Sequence, residues 1–209
     1  MYRTIINEAI AEQIIDKSRF IAHAKPAETK EEADAYIASI RLKHKDATHN
    51  VPAMVIGDKF QVQWASDDGE PQGTSGAPIV QMLVKENITN AAIVVTRYFG
   101  GVKLGTGGLV RAYTSSAKLG LTAAGICRVQ NMTLLGIKLE YTYLSKIRNI
   151  ASSENFEIAE MLYADNVSLK LLTEPENADR IKRLISDISS GSAVMISEEN
   201  ELVKVAENH

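Results

Sequence analysis

The sequence predicts an α+β protein built as two domains, residues 1–132 and 133–209. Three observations lead there. Short stretches that alternate apolar and polar residues, as half-buried strands do, are interleaved with stretches whose apolar residues recur every three or four positions, as in helices. From residue 134 onward these stretches follow the order βαββαβ, that of a ferredoxin-like sandwich. The charge also changes character near the same place: residues 1–132 carry 15 Lys and Arg against 13 Asp and Glu, and residues 133–209 carry 8 against 13. A chain of 209 residues, 45% hydrophobic and 23% charged, is ordinary globular material with enough apolar side chains for a core. No proline-rich linker separates the two parts.

In the first domain, Arg19-Phe20-Ile21-Ala22-His23-Ala24 alternates as a strand, and Lys25-Pro26-Ala27 ends it. Thr29-Lys30-Glu31-Glu32 has the pattern of a capping box, in which Thr29 accepts from the backbone of Glu32 and Glu32 reaches back. Ala33, Tyr36, Ile37 and Ile40 then fall on one face of a helix running to about Lys45. Strands are expected over 51–57 and 60–65, joined by a turn at Gly57-Asp58-Lys59. A first glycine-rich loop, 66–78, enters a helix that stops near Asn87. Residues 91–96 form a continuous apolar strand of the kind buried on both faces. A second loop, 99–106, feeds a helix over about 107–121, so two helix N-termini can point at one region.

In the second domain, residues 134–143 read as a strand and Leu144, Ile147, Ile150 and Ala151 mark a helix. Strands at 156–163 and 167–172 flank a turn at Asp165-Asn166. Pro175 suits the first position of a helix whose stripe is Ala178, Ile181, Leu184, Ile185 and Ile188. Gly191 stops it, and 193–205 forms a last strand or hairpin.

Composition narrows the function classes. No stretch approaches the length of apolar chain that a membrane helix needs, so no membrane partner is expected. The N-terminus lacks the apolar run of a signal peptide. The single cysteine, Cys127, cannot form an intramolecular disulfide, which fits a cytoplasmic location, and its apolar context marks it as a core residue. A formal charge of −3 argues against strong non-specific nucleic-acid binding, and no DNA sequence specificity is expected. Any nucleic-acid surface belongs in the less acidic first domain.

The chemistry concentrates in the two loops. The first, Ser66-Asp67-Asp68-Gly69-Glu70-Pro71-Gln72-Gly73-Thr74-Ser75-Gly76-Ala77-Pro78, places Asp67, Asp68 and Glu70 within four positions. They could hold a hard cation, meet a basic partner or act as an acid–base pair; equally, they could cap loop backbone and the following helix. The second places Gly100, Gly101, Gly105, Gly107 and Gly108 among Arg97, Lys103 and Arg111. A nest of N–H groups with three cations suits phosphate or carboxylate. The rival is internal pairing of Arg97 or Arg111 with the first loop's carboxylates, which would leave no net binding charge. Two nucleotide templates fail: Lys103 precedes Leu104 rather than Ser or Thr, and Val110 stands three after Gly107 where the dinucleotide fingerprint needs Gly or Ala. His49 and Asn50 precede the strand at Val51; His49 could act as a base, but no nucleophile is fixed in sequence. His44 and His49 are a poor metal pair, and His23 reads as a strand residue. No catalytic set, metal or cofactor is expected.

At these residues the sequence closely resembles the YigZ/IMPACT family. The matching stretches are Lys17-Ser18-Arg19-Phe20-Ile21-Ala22, Ala47-Thr48-His49-Asn50, Ser66-Asp67-Asp68-Gly69-Glu70-Pro71 and the long run from Thr96 through Tyr98, Gly101, Gly105 and Arg111 to Tyr113. The resemblance implies a first domain like domain IV of elongation factor G and a second like its domain V. It also implies a role in translation or its regulation, and no catalytic residues. Eukaryotic relatives act through protein contacts, competing for a partner of a translation-initiation kinase. Two departures stand out. Val51-Pro52 occupies the place of a usual cysteine and aromatic, and Ala77 that of a frequent arginine, which removes a cation. The resulting expectation is a non-catalytic protein associated with the ribosome or structured RNA. The alternatives are a protein-interaction regulator using the same surface, or an enzyme acting on a phosphate-bearing small molecule.

Overall fold

The computed structural model describes residues 1–206, so the end of the predicted second domain, 207–209, lies outside the described residues. The chain forms two compact units, Met1–Val129 with the described residues after Val203, and Gln130–Val203. The first is built on strands β1 (Tyr2–Ile5), β2 (Ala9–Ile15), β3 (Ser18–Pro26), β4 (His49–Ile56), β5 (Val62–Ala65) and β6 (Ala91–Tyr98), with helices α1 (Lys30–Lys43), α2 (Gly76–Lys85) and α3 (Gly105–Ala124). Five strands make an antiparallel sheet in the order β2-β3-β6-β4-β5. β1 pairs instead with the start of β7 (Ile126–Leu139).

Strand period dictates the layers. Ala91, Ile93 and Val95 of β6 join Phe20, Val51 and Ala53 in one core, covered by Ile79 and Leu83 of α2 and Leu109, Tyr113 and Leu121 of α3. The intervening Ala92 and Val94 join Met54 and Ile56 on the other face, beneath Ala33, Tyr36, Ile37 and Ile40 of α1. Successive side chains of β6 thus enter two different cores, which is why this strand reads as continuously apolar. The α1 start follows its capping residues: Thr29 Oγ1 accepts from Glu32 N at 3.2 Å, and Glu32 Oε2 accepts from Glu28 N at 2.8 Å, one residue before the cap.

Several expected boundaries shift. α1 ends at Lys43, with His44 as its cap. β5 starts at Val62, not at residue 60. α3 begins at Gly105, so Gly105, Gly107 and Gly108 belong to its first turns and not to a loop nest. Glycine lowers helix propensity without forbidding it, and docking of Leu109, Ala112 and Tyr113 on the sheet supplies what propensity lacks. β1 and β2 have no counterpart in the sequence reading. β2 joins β3 through Asp16 and Lys17, at φ 44° and 64°, a tight two-residue turn made without glycine.

In the second unit β7 continues to Leu139, followed by α4 (Tyr141–Ile150), β8 (Phe156–Tyr163), β9 (Val167–Thr173), a 3-10 turn (Pro175–Asn177), α5 (Ala178–Ile188) and β10 (Val194–Ala206). The sheet order β10-β7-β9-β8 is the ferredoxin-like one. Its core is Leu135, Ile137, Leu169 and Leu171 against Ile147, Ile181 and Ile185. The strand expected to reach residue 143 ends at Leu139, because burying Tyr143, Leu144 and Ile147 together requires helical spacing from Tyr141 on. Pro175 opens the 3-10 turn, and α5 follows it.

His23 is 1% exposed on β3, its ring 4.8 Å from that of His44, and neither of its nitrogens has a hydrogen-bond partner among the described residues. Burial, and then the neighbouring His44 and Lys43, lower its pKa from the ordinary 6.5 to about 4. Because the folded value lies below the unfolded one, the neutral ring costs nothing above pH 6.5, and the penalty grows as pH falls through 6.5 towards 4. The expected loss is roughly 3 kcal/mol in full. Urea unfolding at about pH 7 and about pH 4.5 checks this: His23→Leu should lose clearly less stability across that interval than the unmodified chain.

Candidate functional site

The site follows from strand register. Arg97 on β6 lies opposite Phe20 of β3 on one side and His49 of β4 on the other. Directly opposed residues of antiparallel strands share a face, so three residues far apart in sequence form one row on the face that α3 covers. The Arg97 guanidinium stands 5.4 Å over the Phe20 ring and 5.3 Å from that of Phe99. Tyr113 of α3 meets Phe20 edge-on, centroids 5.3 Å apart. Into this buried cluster the first loop inserts Glu70. Its Oε1 accepts from Arg97 Nη1 at 2.7 Å and from the Tyr113 hydroxyl at 2.6 Å. Arg97 Nη2 also donates to Ser18 Oγ at 3.3 Å. Burial first, and then the hydrogen bond to Glu70, push the Tyr113 hydroxyl well above its usual range, so it remains a donor.

The other carboxylates of this loop have separate tasks. Asp67 Oδ1 accepts from Gly76 N at 2.9 Å and from Ser75 Oγ at 2.7 Å, and its Oδ2 from Gly73 N at 2.7 Å. Burial raises the Asp67 pKa, but these hydrogen bonds outweigh it and hold the group below its ordinary value. Asp67 therefore organises the loop and the start of α2. Asp68, at a left-handed φ of 49°, accepts from Asn50 N at 2.6 Å and from Arg41 Nη2 at 3.2 Å. Its carbonyl accepts from His49 Nδ1 at 2.7 Å. Asn50 is also engaged internally, donating to His44 O and accepting from Thr96 Oγ1. Among the described residues no three His, Cys, Asp or Glu converge as a metal site.

The second loop is short, residues 99–104. Gly100 is required by close approach: a Cβ there would lie 1.9 Å from Lys17 O. Lys103 and Arg111 are exposed and make no ion pair among the described residues, and Gly101, Gly105 and Gly107 beside them are exposed too. Of the three cations predicted here, only Arg97 is consumed internally. Between the loops lies a cavity of about 460 Å³, mostly apolar, bordered by His49, Glu70, Arg97, Phe99, Lys103 and Leu109. The structure thus brings His49, Glu70, Arg97 and Lys103 to one cavity, and assigns Asn50, Asp67 and Asp68 to the scaffold. Phe99, Leu109 and Tyr113 also belong to the site and are absent from the residues expected there. A Tyr four residues after Leu109, on the apolar stripe of α3, was the available signal for Tyr113.

The Glu70–Arg97 pair is almost fully enclosed, with side chains 4% and 6% exposed. Removing one partner leaves a buried charge unmatched. Glu70→Ala is expected to cost about 3–5 kcal/mol in urea unfolding, and adding Arg97→Met should recover part of that loss.

Comparison with known proteins agrees with this architecture. Residues 16–121 match the Impact N-terminal domain, and residues 137–192 match a domain of unknown function, DUF1949. The IMPACT family member YvyE of Bacillus subtilis is 36% identical over 208 residues, covering 100% of this chain and 96% of that protein. The IMPACT family member YigZ of Escherichia coli is 33% identical, covering 88% and 91%. A solved structure described as that of a hypothetical protein superposes with a TM-score of 0.58 at 31% identity, covering 95% of this chain and 97% of its own. With both domains matched and relatives aligned over most of both chains, the chain belongs to the IMPACT family.

Proposed function

We propose that the protein is a non-catalytic, RNA-associated factor that docks on the ribosome or another structured RNA through the surface around Lys103 and Arg111, with a role in translation or its regulation. The observation that carries this reading is the unequal fate of the charges. The first loop's carboxylates are spent on Arg97, Arg41, Tyr113 and backbone N–H groups. Lys103 and Arg111 stay exposed beside the uncapped first turn of α3. Cations next to open backbone N–H groups suit phosphate oxygens. The likeness of the loop residues to a family associated with translation points the same way. A second reading, a protein-interaction regulator on the same surface, is favoured by Phe99 and Val102, 46% and 38% exposed on the loop.

Sedimentation with ribosomes at low and high salt tests the proposal. Co-sedimentation should weaken as salt rises, and Lys103→Ala or Arg111→Ala should each reduce the salt slope by about 0.7–0.9. No co-sedimentation, together with no binding to structured RNA, would sink it. Pull-down of a protein partner that is lost on Phe99→Ala, at any salt, would favour the second reading.

A further inference from the structure

We propose that the cavity between the loops binds a nucleotide whose base carries an exocyclic amino group, either free or at an unpaired position of an RNA; only the latter source rests on the docking function proposed above.

The wall of the cavity is short of donors. Glu70 is 8% exposed, and both donors that reach it, Arg97 and Tyr113, go to Oε1. Its Oε2 receives no hydrogen bond among the described residues. His49 donates from Nδ1 to the Asp68 carbonyl, which leaves Nε2 as an acceptor in the neutral ring. The two acceptors, Glu70 Oε2 and His49 Nε2, lie 3.8 Å apart, too far for a direct hydrogen bond. One group with two hydrogens can serve both. Arg97 Nε is likewise buried with no hydrogen-bond partner among the described residues, so this wall is built with its polar groups incompletely matched.

The remainder of the cavity describes the rest of the ligand. Phe99 lines the cavity and is 46% exposed, which leaves its ring available to stack on a planar base. Leu104 and Leu109 add apolar wall. Lys103 borders the same cavity without an ion-pair partner and is placed for a phosphate. Adenine, guanine and cytosine present an amino group; uracil presents a carbonyl oxygen, which would face two acceptors. An aliphatic amine would satisfy Glu70 and His49 and leave Phe99 and Lys103 unused.

Calorimetric titration of the full chain with adenosine and uridine monophosphates, and with short oligoadenylate and oligouridylate, tests this. The adenine ligand should bind at least about tenfold more tightly than its uracil counterpart, the worth of one hydrogen bond to a charged group. Phe99→Ala should weaken it at least about fivefold through lost stacking, and Lys103→Ala should weaken the monophosphate. Both side chains are exposed, so these variants keep the fold, which circular dichroism checks. Preference for adenine in both ligand forms, or in the oligonucleotide alone, supports the proposal and tells a free nucleotide from an RNA position. Equal binding of adenine and uracil ligands, no binding of either, or binding indifferent to Phe99→Ala overturns it. Salt-dependent ribosome sedimentation that survives such a failure leaves the docking function standing, and adenine binding without sedimentation removes the docking function alone.

Discussion

A carboxylate cannot stay ionised in a protein interior unless donors surround it, and Glu70 sets this condition for the first unit. Its two donors come from different elements, Arg97 from the central strand β6 and Tyr113 from the middle of α3. Meeting them fixes how α3 lies on the sheet and how deep the loop after β5 must reach. The Phe20 ring closes the arrangement, in contact with both Arg97 and Tyr113. A loop that looks like a surface feature is therefore anchored at one residue in the core, and the cavity beside it takes its shape from that anchor.

The same constraint sorts the charges. A run of three carboxylates facing three cations could have cancelled completely. Burial prevents this, because each enclosed or half-enclosed group takes the partner that geometry brings nearest. Asp67 binds backbone, Asp68 binds Arg41 and the β4 backbone, and Glu70 binds Arg97. Lys103 and Arg111 fall outside this circle because their side chains stay exposed, one on the loop and one in the first turns of α3. Surface potential here is what remains after the interior has been satisfied.

This history explains how much could be read from the chain alone. The stripe of α1, the apolar run of β6, the strands at 156–163 and 167 onward and the order of the second domain were legible, because each follows from a local period. β2 was not: Ala9–Ile15 alternates only weakly, and its turn uses Asp16 and Lys17 where a glycine would have signalled it. The two loops were legible as the place where chemistry gathers. The division of labour within them was not, since it depends on strand order. Nothing local says that residues 20, 49 and 97 are neighbours, or that Tyr113 outranks Arg111 as a partner for the first loop. Asn50 looked like a site residue for the same reason; its neighbour His49 faces the cavity, and alternation turns Asn50 towards Thr96 and His44 instead.

The short loop after β6 is tied at its start. Phe99 N donates to Thr48 Oγ1, Gly100 N donates to Ser18 Oγ, and the missing side chain at Gly100 lets the chain lie against the β2–β3 turn. Phe99 and Gly100, held this way, have little freedom left to lose. Its encounter with any partner needs no search for a bound shape, so association can approach the rate that diffusion and charge steering permit. Differences among ligands would then be expressed in how long each stays, and a change at Ser18, which ties the loop without lining the cavity, would act by loosening the loop and slowing capture.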